Sequence, residues 1–335
     1  MRHSAEAMRR VLGVLFVGYA LLLSVKAIAA GSLPSVLHLV MAMFGVALFA
    51  NLGRRFIRDW TLVVAGLFAY LLASRYSQAL DMPIHYTPQI DAERVLGFGA
   101  LPTEWLQAHL YHGRTGVIEV IAVLMYVSHF FAPIALGFYL WLRRLGRAFA
   151  ELMFGLVATS LLADIVFVLY PTAPPWLAAE HGLVRVHHLL QQSLFDLHLN
   201  GFATLIGDSH KYNIVAALPS MHAAFPVIAL IVAVRYGLPR WVITLQSVQL
   251  VGVWFAIVYL GDHYLVDAVA GAAFAIAGVT IAHRLLFGAQ RSETAPATRY
   301  STTPVPASLA TRVPSMGVPV SASTYSATKR LPSPE

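Results

Sequence analysis

Two histidines and a carboxylate sit at the ends of apolar stretches in a pattern suited to phosphoryl chemistry. One stretch opens with Leu218-Pro219-Ser220-Met221-His222, and another leads into Gly261-Asp262-His263-Tyr264-Leu265-Val266-Asp267. His263 and Asp267 are four residues apart at an expected helix start and so share a face. The Asp can hold one imidazole nitrogen and leave the other aimed at a substrate, as nucleophile or base. Pro219 and Ser220 signal another helix start, where free backbone N–H groups and the positive dipole end favour an anion. His222 falls beside that anion seat. This set suffices for phosphoryl transfer without a metal: one imidazole attacks phosphorus to give a phosphohistidine, and the other protonates the leaving oxygen. Water or an alcohol then takes the phosphoryl group while the protonating histidine works in reverse. The choice of acceptor decides between hydrolysis and transfer.

The elements that must position these groups belong to a membrane protein. Of 335 residues, 58% are hydrophobic and 12% charged, against roughly 45–50% and about 25% in a soluble domain, and the mean hydropathy is +0.67. This argues against a soluble globular enzyme and predicts an all-α, polytopic helix bundle. Apolar runs long enough for about 30 Å of hydrocarbon fall near 11–30, 34–51, 60–76, 116–142, 148–170, 219–236, 241–260 and 264–287. About eight spans are expected; the second and sixth are short, so six or seven also fit. With the N-terminus inside, the inner connections hold Arg2, Arg9, Arg10, Arg54, Arg55, Arg58, Arg143, Arg144, Arg147, Arg235 and Arg240. The outer ones hold Arg94, Arg114, Arg185 and Lys211, with Arg75 at a border. The positive-inside rule therefore predicts cytoplasmic termini and both histidine clusters at the extracytoplasmic face, with the plasma membrane as the expected location. The net charge of +7 is then largely an orientation signal, and no nucleic-acid partner is expected.

Three regions follow: N-terminal transmembrane helices over 1–59, a catalytic transmembrane core over 60–288, and a disordered, cytoplasmic Ser/Thr/Pro-rich tail over 289–335. Two long outer segments, 77–115 and 171–218, are rich in His, Pro, Asp and Gly and are expected to cap the outer mouth. Amphipathic pieces at 92–111 and 186–206 would lie along the interface.

The strings LPSMHAAFP and YLGDHYLVDAVAG resemble the second and third signatures of the type 2 phosphatidic acid phosphatase (PAP2) superfamily, PSGH and SRxxxxxHxxxD. YPTAPPW at 170–176 and LPTEWLQ at 101–107 are similar to its inositolphosphotransferase branch, the aureobasidin-sensitive inositol phosphorylceramide synthase relatives. The resemblance covers roughly residues 60–287. It implies that His263 is the phosphohistidine nucleophile, His222 the acid and Asp267 the group that orients the nucleophile. It further implies a membrane lipid substrate, a phosphoinositol-type headgroup or a polyprenyl phosphate, and no cofactor or metal. Two departures stand out: the first-signature K-x6-R-P is absent, and the Ser and Arg of the third signature fall on Ala256 and Ile257.

Another group must therefore neutralise the phosphate. Lys211 is the first choice, with Arg185, Arg114 and Arg75 behind it and the Ser220 hydroxyl and helix N–H groups adding to it. The substrate-binding candidates are Ser220, Lys211, Pro219, Tyr264 and Arg185. Asp164 and His129 lie inside spans, where helix packing competes with function. The loop histidines His181, His187, His188, His198 and His210 match no tight metal motif, and Asp262 is left as supporting or exposed. Two other classes stay open: a transporter using Asp164 and His129, and a metal hydrolase using His222, His263 and Asp267 as ligands.

Overall fold

A computed structural model describes residues 2–77, 82–207 and 213–288. Lys211, His210 and the tail from 289 lie outside the described residues, as does the side chain of Arg75. Every regular element described is a helix. Five are long and apolar enough to cross a bilayer: α1 (Arg2–Ala29), α6 (Val117–Leu142), α7 (Gly146–Leu169), α12 (Arg240–Tyr259) and α13 (Leu265–Phe287). The eight apolar runs read from the sequence all fold as helices, but three differ from these five. α2 (Val36–Phe49) and α11 (Met221–Arg235) have 14 and 15 residues, and at about 1.5 Å per residue they stop short of a full crossing. α3 (Gly53–Ser77) has 25 residues but opens with Arg54, Arg55, Arg58 and Asp59. The two long connecting segments, 77–115 and 171–218, carry short helices: α4 (Thr87–Leu96), α5 (Pro102–Leu110), α8 (Pro175–Glu180), α9 (Leu189–Asp196) and α10 (Asn200–Gly207).

α7 packs against α3, α6, α11 and α13, and α12 closes on α6 and α11. Trp60, Trp141, Leu152, Met153 and Ile228 are buried among them, while Trp241, Leu245, Val248 and Val251 form an exposed apolar stripe on α12. That stripe has helical spacing and suits lipid contact. Where α11 meets α13 the residues are small: Ala223, Ala224, Ala268 and Ala275 are fully buried. A Cβ on Gly271 would stand 2.3 Å from the Ser220 carbonyl oxygen, so the two helix starts approach only because that atom is missing. Gly271→Ala is expected to push them apart and destabilise the bundle by about 1–3 kcal/mol, as overpacking does. The loss should register as a lower unfolding midpoint in detergent together with reduced activity.

The basic connections gather at one end of the bundle. Arg55 Nη2 donates to the Trp141 carbonyl at 3.1 Å. Fully buried Glu151 pairs with Arg235, accepts from the Tyr236 hydroxyl at 2.7 Å and faces His283 Nδ1 at 2.9 Å. At the other end three loop segments meet in isolated parallel bridges, His85 with Thr172 and Thr172 with Ala216. The Thr172 hydroxyl also accepts from the Leu218 N–H at 2.9 Å. These bridges place the segments around 85, 172 and 216 beside the starts of α11 and α13.

Candidate active site

The site forms where the end of α12 and the starts of α11 and α13 converge. Gly261, at φ +82, makes the turn after α12; a Cβ there would lie 2.7 Å from the His187 carbonyl. The N–H groups of Asp262 and His263 both donate to the Ile257 carbonyl at 3.0 Å, closing the helix end. Ala256 and Ile257 are fully buried, so the positions matching the family's Ser and Arg serve packing. His263 stands just before α13 rather than on its first turn. It still meets Asp267 because Asp267 folds back over the helix start, its Oδ2 accepting the Tyr264 N–H at 2.9 Å, as an N3 carboxylate does.

His263 Nδ1 lies 3.0 Å from the Ala217 carbonyl oxygen and 3.6 Å from Asp267 Oδ2. Both neighbours are acceptors, so Nδ1 carries the proton and Nε2 presents a lone pair. That Nε2 lies 3.0 Å from His222 Nδ1. The backbone carbonyl therefore shares with Asp267 the task of orienting the imidazole, a role the sequence assigned to the Asp alone. Burial pushes the His263 pKa down, but Asp267, Asp262 and the Ala217 carbonyl together raise it above its ordinary value.

His222 occupies the first turn of α11, with Ser220 as N-cap; Ser220 Oγ accepts from the Ala223 N–H at 3.3 Å. The His222 ring packs against His129 at 4.0 Å and Tyr126 at 4.6 Å between centroids. His129 thus joins the site as the floor under His222. His222 Nε2 is buried without a hydrogen-bond partner among the described residues.

Two residues whose roles the sequence did not disclose hold this geometry. Glu93 of α4 is fully buried, and its two carboxylate oxygens accept the N–H groups of Leu265 at 2.8 Å and Val266 at 3.0 Å. It caps the helix that carries Asp267. Its only sequence signal is helical spacing from Ile90 on the buried face. Gln107 of α5 donates to the carbonyls of His187 and Tyr259, each at 2.9 Å, and accepts the His187 N–H at 2.8 Å.

The remaining candidates are more dispersed. Pro219 follows a cis peptide bond from Leu218 and precedes the cap of α11. Tyr264 is 1% exposed, packed with Ile90, Leu101, Ala178 and Val184. Arg185 is exposed and engages Glu104 through its backbone N–H at 2.6 Å. Arg114 lines a separate cleft of about 480 Å³ with Asp196. Asp164 is buried with neither oxygen hydrogen-bonded among the described residues, so the helix-packing hydrogen bond expected for it does not form. Asp262, left open by the sequence, lies at the site: His222, Asp262 and His263 bring ligand-type atoms within 4.8 Å of one another. That trio, rather than one with Asp267, is the set that could gather around a metal ion.

An all-helical membrane enzyme core with these paired motifs defines a class, and the chain belongs to the PAP2 superfamily, whose family model matches residues 90–281. Among relatives, it is 28% identical over 262 residues to a phosphoinositol dihydroceramide synthase of Bacteroides thetaiotaomicron, covering 72% of this chain and 82% of that protein. It is 29% identical over 168 residues to an inositol phosphorylceramide synthase of Candida albicans, covering 47% of this chain and 34% of that protein. The chain thus spans about a third of the Candida relative. No solved structure matches it.

Proposed function

We propose that this chain is an integral-membrane lipid phosphotransferase that moves a phosphoinositol-type headgroup to a lipid alcohol through a phosphohistidine on His263. The observation that carries this reading is the aligned set Ala217 carbonyl, His263 and His222, backed by Asp267. A phosphate entering between the imidazoles replaces their mutual hydrogen bond. His263 Nε2 attacks phosphorus, the bond from phosphorus to the lipid oxygen breaks, and His222 supplies the proton that oxygen needs. The acceptor hydroxyl then attacks phosphorus, the P–N bond breaks, and His222 takes the hydroxyl proton. The N–H groups at the start of α11 and the Ser220 and Pro219 turn supply the phosphate's polar surroundings, with Lys211 and Arg185 as the cationic candidates from the neighbouring segments. The site faces outward and the termini lie in the cytoplasm of a plasma-membrane protein of up to eight spans, an orientation supported by the clustering of basic residues at the opposite end.

The test is to incubate membranes with a phospholipid labelled in its headgroup phosphate. Label is expected in a new lipid, with a labelled histidine trapped on the way; label found only in water-soluble phosphate would replace transfer by hydrolysis. Activity should survive strong chelators. Loss that zinc restores would favour His222, Asp262 and His263 as metal ligands.

The pH dependence follows from the nucleophile. His263 attacks only when neutral, so kcat/KM should fall as pH drops through its raised pKa, placing the acid limb above the ordinary histidine value. Burial opposes its protonation, and Asp267 and Asp262 favour it. Asp267→Asn should move the limb to lower pH; an unmoved limb would assign it to another group.

A further inference from the structure

The stretch expected to lie along the interface folds as α4, a turn and α5. Its inner face packs on the bundle: Ile90, Glu93, Leu101 and Gln107 are buried. The turn itself directs apolar side chains outward, with Phe98 100%, Val95 79% and Leu96 52% exposed. Trp105 on α5 is 54% exposed. α4 ends in a Schellman arrangement, with Gly97 as its cap and the Gly99 N–H donating back to the Arg94 carbonyl at 2.7 Å. Phe98 fills the left-handed position of that motif, at φ +54, a place that glycine or asparagine usually takes. Glycines stand on both sides of it. A bulky side chain thus occupies the position of the turn where backbone sterics oppose it and where the protein shields none of it.

The level of this turn in the membrane follows from α13. That helix has 23 residues, which at about 1.5 Å each match about 30 Å of hydrocarbon, so its first residues lie near the boundary with the headgroups. Glu93 is tied there through the Leu265 and Val266 N–H groups. Phe98 follows five residues later, its backbone about 10 Å or less away, within reach of the interfacial layer. Aromatic and aliphatic side chains beside a cation, here the exposed Arg94, are the composition that enters that layer, the cation meeting lipid phosphates. We propose that the α4–α5 turn inserts Val95, Leu96 and Phe98 among the lipids at this boundary, and that the lipid contact, together with Glu93, holds α4 on the start of α13. The helix that carries Asp267 is then braced by the bilayer itself. The anchor does not depend on which reaction the site performs.

The chain contains no cysteine, so Phe98→Cys, and Val95→Cys with Phe98 kept, each provide a single thiol for a nitroxide label. The full-length protein is reconstituted in vesicles of phosphatidylcholine and phosphatidylglycerol. Oxygen, which concentrates in lipid, should relax both labels more than a water-soluble nickel chelate does. Relaxation by the nickel chelate as strong as that of a free label in buffer would place the turn in water, and shielding from both reagents would place it under a protein partner. Either result overturns the anchor. The second measurement is amide hydrogen exchange of α4 in the same vesicles. Asparagine suits the left-handed backbone better than phenylalanine does, so in Phe98→Asn a turn that mattered only for the local fold would exchange more slowly or at the same rate. The anchor predicts the reverse: exchange in α4 faster by about fivefold or more, a factor below what full burial of a phenylalanine side chain is worth. Exchange no faster than in the wild type would overturn the bracing of α4 by lipid.

Discussion

Replacing His263 with asparagine is expected to lower turnover by about 10⁴-fold or more, the scale at which a nucleophile acting within a coupled set is lost. The asparagine amide can still donate to the Ala217 carbonyl that His263 Nδ1 meets at 3.0 Å, so the turn before α13 keeps its anchor and the protein should elute and unfold as the wild type does. No labelled histidine should be trapped. His222→Asn should behave differently, because it removes proton transfer and leaves the attack on phosphorus. A loss of about 10²–10⁴-fold is expected for a lipid alcohol leaving group. Much of it should be recovered with a donor whose leaving group needs no proton. Equal losses in the two variants, with no recovery in either, would assign the nucleophile elsewhere.

Glu93→Ala should produce the second large effect at a residue that touches no substrate. It strips the partner from two N–H groups at the start of α13, and leaving buried donors unsatisfied costs about 1–3 kcal/mol each. The helix that carries Asp267 would then start elsewhere, so a lower unfolding midpoint and a loss of activity should appear together. Burial pushes the Glu93 carboxyl above its ordinary range, against the pull of the Leu265 and Val266 N–H groups. Glu93→Gln keeps one accepting oxygen and turns its amide NH2 toward the other N–H donor, so it should fall between the wild type and the alanine variant in stability and activity. A Glu93→Ala protein as stable and active as the wild type would remove α4 from the support of the site.

The contrast between His263 and Glu93 marks what could be read in the sequence. Helices of membrane character were legible because hydropathy depends on local composition, and both histidine clusters were legible because each sits within a few residues of a helix start. The depth of crossing was less so: α2 and α11 stop at 14 and 15 residues, bounded by the left-handed turn at Asn51, φ +61, and by the Ser220 cap, which apolarity alone does not reveal. Glu93 and Gln107 act across 172 and 152 positions of chain, and a polar residue in an amphipathic stretch carries no mark of its distant partner. Asp262 was visible but its place was not, since it comes beside His222 only through the packing of α11 against the turn after α12. Lys211, the first choice for the phosphate's cation, lies outside the described residues.

The carbonyl of Ala217 has a consequence for how the site tolerates change. An orienting group made of main chain survives every side-chain substitution at its own position, so a residue-by-residue alanine scan is blind to it. With two acceptors sharing Nδ1 of His263, loss of Asp267 alone leaves the imidazole tethered. The remaining vulnerability moves to whatever shapes the backbone at 217, which is the Thr172 hydroxyl on the Leu218 N–H and the bridge from Thr172 to Ala216. Redundancy of this kind spreads the control of one proton over three loops that are far apart in the chain.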